Sequence, residues 1–156
     1  MNITVGVDEA QEQTAAAINL LASLRFASPH VDLVHVIENL GKADALLGIS
    51  DYLGNATGTT FYETKEKMAK EALAFALQVA SKYELDSKTQ LFSGQIANRV
   101  LEFVKKSNSD LLVLGSSDKG NMEGILIGSV GRKAVINSPS SILIAKGNSE
   151  KNGKLK

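Results

Sequence analysis

The order of apolar and turn segments along this 156-residue chain predicts an α/β domain: a single doubly wound, five-stranded parallel sheet with helices on both faces. Three observations carry that reading. Strand-length apolar runs alternate with segments of helical period; the runs at Leu33–Ile37 and Leu111–Leu114 are nearly continuous, as strands covered on both faces are; and polar or glycine residues stand where the strands end.

Ile3, Val5 and Val7 alternate with other residues and lead into Asp8, a short buried strand ending in a polar turn. Ala17, Leu20, Leu21 and Leu24 then fall at the spacing of one helical face, and Ser28-Pro29 breaks that helix. Leu33, Val34, Val36 and Ile37, with His35 among them, form the second strand. From Glu38 to about Thr60 several glycines occur without a sustained period, over a length that suits a lid better than a tight connection. Thr60 with Glu63 reads as a capping box for the next helix, whose inner face is expected at Met68, Ala72, Phe75 and Val79.

A third strand is expected at Lys88–Phe92. A helix striped by Ile96, Val100, Leu101 and Val104 follows, then a fourth strand at Leu111–Leu114. After a polar, glycine-containing loop come a helix over Ser129–Asn137, the stop at Pro139 and a last strand over Ser141–Ala145. Residues 1–147 read as one domain and 148–156 as a flexible polar tail.

Composition excludes several classes of function. Seventeen basic residues balance seventeen acidic ones, so the chain as a whole is no polyanion binder, and no nucleic-acid partner is expected. With no cysteine there is no disulfide, thiolate nucleophile or thiolate metal site. No leader-like or membrane-spanning apolar stretch occurs, so a cytoplasmic protein without a membrane partner is the expectation. His30 and His35, five apart on or near one strand, point to opposite faces and cannot form a helical metal pair. The sequence holds no P-loop and no dinucleotide-binding glycine motif after the first strand. Ser129 lacks both the glycine of a nucleophile elbow and a downstream histidine.

The informative stretch runs from Gly115 to Gly131 and joins a buried strand to a helix start. Gly115 is expected to let the chain turn sharply. Gly128-Ser129 puts free amide N–H groups and a hydroxyl at the positive end of a helix, which suits phosphate oxygens, with Lys119 and Arg132 nearby in sequence.

These residues resemble the universal stress protein family, whose nucleotide-binding members carry Gly, two residues, Gly, nine residues, then Gly-Ser or Gly-Thr here. Ile3–Asp8, Leu33–Ile37, Ser93-Gly94, Asp110–Gly115 and Ser138–Ile144 extend the resemblance over nearly the whole chain. It implies the adenine-nucleotide α-hydrolase-like fold with strand order 3-2-1-4-5, a homodimer formed through the last strand (Ser141 to Ala145), and bound ATP or a related adenine nucleotide, with Mg²⁺ as a bridging ion. It also implies roles. Asp8 and Val36 would line the adenosine end; Gly115 and Ser116 would approach the ribose and phosphates; Gly128, Ser129 and Val130 would hold the phosphates; and Leu114 belongs to the same nucleotide-binding set.

Asp118 departs from the pattern, standing where the second glycine belongs. Across ~5 Å a carboxylate and a phosphate charge repel by roughly 3 kcal/mol at an effective dielectric of 20, less if Mg²⁺ bridges them. Glu9-Ala10 and Ile96 replace a small Gly/Ser pair and a proline common in the family. With no positioned general base, the expected function is an adenine-nucleotide binding module of the stress response with at most slow hydrolysis. The alternative is a ligand-free stress protein acting through protein contacts.

Overall fold

The computed structural model describes residues 1–39, 61–116 and 128–147. Among these residues the chain forms β1 (Asn2–Gly6), α1 (Gln11–Ser23), β2 (His30–Glu38), α2 (Phe61–Ser81), β3 (Asp86–Gly94), α3 (Ile96–Lys106), β4 (Leu111–Ser116), α4 (Ser129–Asn137) and β5 (Ser141–Lys146). The strands make one parallel sheet in the order β3-β2-β1-β4-β5. The chain first winds outward from β1 to β3 and then returns across β1 to β4 and β5. Because parallel crossovers are right-handed, that reversal puts α1 and α2 on one face and α3 and α4 on the other.

Strand alternation divides the core accordingly. Ile3, Val5, Val31, Leu33, Leu111 and Val113 pack under α1 and α2; Val34, Val36, Leu112 and Leu114 pack under α3 and α4. Side chains such as Ile3, Leu33 and Leu112 are wholly buried, each worth about 1.5–3 kcal/mol of transfer free energy.

The inner faces of the first two helices differ in detail from the sequence expectation. In α1 the buried stripe is Thr14, Ala17, Ile18 and Leu21, whereas Leu24 follows the last helical residue and is exposed. In α2 Met68 is exposed, and the sheet is met by Ala69, Ala72, Leu73, Ala76, Val79 and Ala80. The four alanines let the helix sit close to the sheet. β3 runs from Asp86 to Gly94, longer than Lys88–Phe92, because it follows β2 over its full length from His30↔Asp86 to Glu38↔Gly94.

The lid of residues 38–60 lies, past Asn39, outside the described residues, as do the Thr60 cap and the 148–156 tail.

Candidate functional site

The sheet order leaves a crevice where the winding reverses, between β1 and β4 at their carboxyl ends. A cavity of about 420 Å³ opens there, within the range of small-molecule sites.

Alternation sorts its walls. Val34 and Val36 of β2, Leu114 of β4, and Ile96 and Val100 of α3 form an apolar wall on the α3/α4 face. Ser116, two residues beyond Leu114, lies on the same face and is 6% exposed. The start of α4 closes this lobe. Its N-cap, Gly128, supplies no side-chain cap, and among the described residues no side chain bonds the first amides of the helix, at Ser129, Val130 and Gly131. The α1/α2 face contributes a polar wall: Glu9, Gln13, Thr14, His35 and Lys65, with Lys65 Nζ 3.3 Å from Glu9 Oε1.

Asp8 sits at the junction of the two walls. Its Oδ1 accepts a hydrogen bond from the Ala10 N–H at 2.8 Å, an Asx turn that opens α1. Oδ2 has no partner among the described residues. The Asp8 backbone N–H donates to Thr14 Oγ1 at 3.0 Å, and the Thr14 hydroxyl lies 3.1 Å from the Asp8 carbonyl oxygen, to which it donates. One residue earlier, Val7 prolongs the β1–β2 ladder through its N–H to the Val34 carbonyl at 2.8 Å, and its own carbonyl is met by His35 Nδ1, also at 2.8 Å. A carbonyl can only accept, so Nδ1 carries the proton.

Of the nine residues named from the sequence, eight line this one cavity: Asp8, Val36, Leu114, Gly115, Ser116, Gly128, Ser129 and Val130. The ninth, Asp118, lies outside the described residues with the rest of 117–127.

Gly115 has a different structural reason from the sharp turn anticipated. It is a ladder residue of β4, opposite Ala145, and a Cβ there would lie 2.5 Å from the Gln13 carbonyl oxygen, so it is glycine because α1 passes directly over it. Ser93-Gly94, at another strand end, stays out of the cavity. Gly94 has φ +138°, and Arg99 Nε lies over it, 3.0 Å from the Ser93 carbonyl it bonds. The two histidines part as expected, with His35 buried beneath the cavity and His30 held 2.6 Å from Asp86 at the opposite edge.

Sequence reasoning missed several cavity residues, among them Thr14, Lys65 and Ile144. Lys65 and Ile144 become neighbours of the site only through the helix and strand packing.

The model of the universal stress protein family matches residues 1–146. The chain belongs to the universal stress protein family. Universal stress protein MJ0531 of Methanocaldococcus jannaschii is 31% identical over 84 residues, which cover 54% of this chain and 49% of that protein. The chain thus spans about half the length of that relative.

Among solved structures, the universal stress protein from Archaeoglobus fulgidus in complex with dAMP has a TM-score of 0.66 at 18% identity, over 94% of this chain and 98% of that one. The Arabidopsis thaliana family protein with AMP bound also has a TM-score of 0.66, at 13% identity, over 96% and 93%. Similarity at this level of identity shows a shared fold, here the adenine-nucleotide α-hydrolase-like one. Among the described residues no helix of this universal stress protein is long and apolar enough to cross a membrane.

Proposed function

We propose that this universal stress protein binds an adenine nucleotide, ATP or an AMP-like relative, at the carboxyl edge of its sheet, and acts as a cytoplasmic, homodimeric binding module with little or no hydrolysis. One observation carries the reading: eight residues chosen for a nucleotide site, from four separate segments, line one cavity.

The cavity has the polarity a nucleotide needs. The apolar wall of Val36, Ile96 and Leu114 suits a purine face, and the Asp8 Oδ2 offers an acceptor for an amine or ribose hydroxyl. The uncapped start of α4 suits a phosphate. β2 and β4 are two strand spacings apart, ~10 Å, so a ligand reaching from Val36 to the α4 amides has the extent of a nucleoside phosphate. The solved relatives with AMP and dAMP add support from outside the chain.

No cluster of three metal-ligating side chains occurs among the described residues. With ATP, a Mg²⁺ bridging the phosphates is part of the reading, and Asp118 is its candidate protein ligand.

The homodimer reading rests on β5. It is an edge strand with half-buried Ile142, Leu143 and Ile144, and beside it α4 exposes Val135 (56%) and Ile136 (80%). A second copy pairing with that edge would cover them. The same surface supports the alternative, a ligand-free stress protein that acts through protein contacts.

Thermal melts of the purified protein titrated with ATP or AMP, with and without Mg²⁺, separate the readings. A saturable rise in Tm supports the nucleotide site, and no rise with a stable dimer by light scattering supports the alternative.

A further inference from the structure

We infer that Thr14, backed by His35, is a positioning residue that holds the Asp8 carboxylate toward the ligand; the inference rests on the nucleotide-binding reading of the site.

Asp8 stands two residues beyond β1, on an exposed stretch where a carboxylate would ordinarily be mobile. Ordering such a group on binding costs affinity, and fixing it beforehand avoids that cost. Here the backbone is already fixed. The Thr14 hydroxyl accepts from the Asp8 N–H and donates to the Asp8 carbonyl, so one oxygen satisfies both backbone groups of a single residue.

The bond is not the usual one for a helical threonine, whose hydroxyl turns back to a carbonyl three or four residues earlier in its own helix. Thr14 reaches six residues back, out of α1, and is 1% exposed while doing so. His35, 5% exposed, holds the preceding carbonyl at Val7. Both residues come from the α1/α2 face, opposite the apolar wall. With its backbone held and Oδ1 engaged by Ala10, Asp8 keeps Oδ2, without a partner among the described residues, as an acceptor at the cavity.

The test is a double-mutant cycle on AMP affinity, measured by calorimetry with Tm recorded alongside. Thr14→Val, near-isosteric without the hydroxyl, is expected to weaken AMP binding roughly fivefold to tenfold, the equivalent of about one hydrogen bond, while Thr14→Ser stays within about twofold. Thr14→Ala serves the same purpose if the valine does not fold.

A merely structural role would lower affinity equally in every background, whereas positioning acts through Asp8. The loss from Thr14→Val should therefore shrink to about twofold or less when Asp8→Asn is already present. Unchanged affinity in either single variant, or an undiminished loss in the double variant, overturns the inference while leaving nucleotide binding intact. Failure of the wild-type protein to bind AMP or ATP overturns both.

Discussion

The two edges of the same sheet use their polar groups in opposite ways. At the amino edge they close on each other. Asp110 Oδ2 accepts the Asn2 N–H at 2.7 Å, His30 meets Asp86 at 2.6 Å, and Thr4, wholly buried, begins a hydroxyl chain through Ser109 to Ser107 at 2.6 and 2.7 Å. At the carboxyl edge the same residue types leave bonding capacity facing a cavity, in Asp8 Oδ2 and the uncapped amides of α4. The first edge contributes stability, and the second holds back bonding groups for a ligand.

The difference is one of chain path. Loops at the amino edge return from helices to strands and can be tightened freely. Those at the carboxyl edge diverge to opposite faces where the winding reverses, and the gap between them cannot be closed.

If that division is right, substitutions at the two edges should separate stability from affinity. The largest expected effect is at Gly115, whose added methyl would press on the Gln13 carbonyl oxygen of α1. Gly115→Ala should cost about 1–3 kcal/mol in urea unfolding and deform the cavity as well, because both strand and helix line it. Unaltered stability would mean that α1 is free to shift.

Next comes Gly128→Ala. Among the described residues no atom lies within 4 Å of a Cβ at that position, and its φ is −56°, so folding should change by less than about 0.5 kcal/mol. A phosphate seated on the α4 amides would meet that methyl, and nucleotide affinity should fall roughly tenfold, about 1.4 kcal/mol. Undiminished affinity would move the phosphate away from the start of α4.

At the amino edge Thr4→Val should cost about 1 kcal/mol by removing a buried hydroxyl and its bond to Ser109, with nucleotide affinity unchanged. The smallest effect is expected from Asp86→Asn. Its partner His30 is more than a third exposed, and such pairs contribute about 0–1 kcal/mol. A loss of ligand affinity in either variant would break the contrast between the edges.

How much of this was legible in the sequence depended on whether neighbours along the chain or neighbours in space decide the matter. β4 was legible because Leu111–Leu114 is an apolar run bounded by Asp110 and Gly115, and α4 because Pro139 and Gly128 bracket it. The ends of β3 were not. Asp86 and Ser87 look like loop residues, and they belong to the strand only because β2 offers a nine-residue partner.

The helix faces failed by one position or by one turn, at Met68 and Leu24. Periodicity marks an apolar stripe but does not say which small residue will lie closest to the sheet. The site shows the same division. Its glycines and polar strand ends could be picked out from the chain, whereas the bond from His35 to the Val7 carbonyl joins residues 28 apart, and Thr14 reads as an ordinary helical residue until Asp8 is seen beneath it.

The central claim, an adenine-nucleotide site at the open edge of the sheet, is tested most directly by isothermal titration of the purified wild-type protein with AMP and with ATP. Saturable binding near one nucleotide per chain, weakened by Gly128→Ala and unaffected by Thr4→Val, is the predicted result. No heat of binding at nucleotide concentrations up to about 1 mM, a free energy of only about −4 kcal/mol, would contradict it.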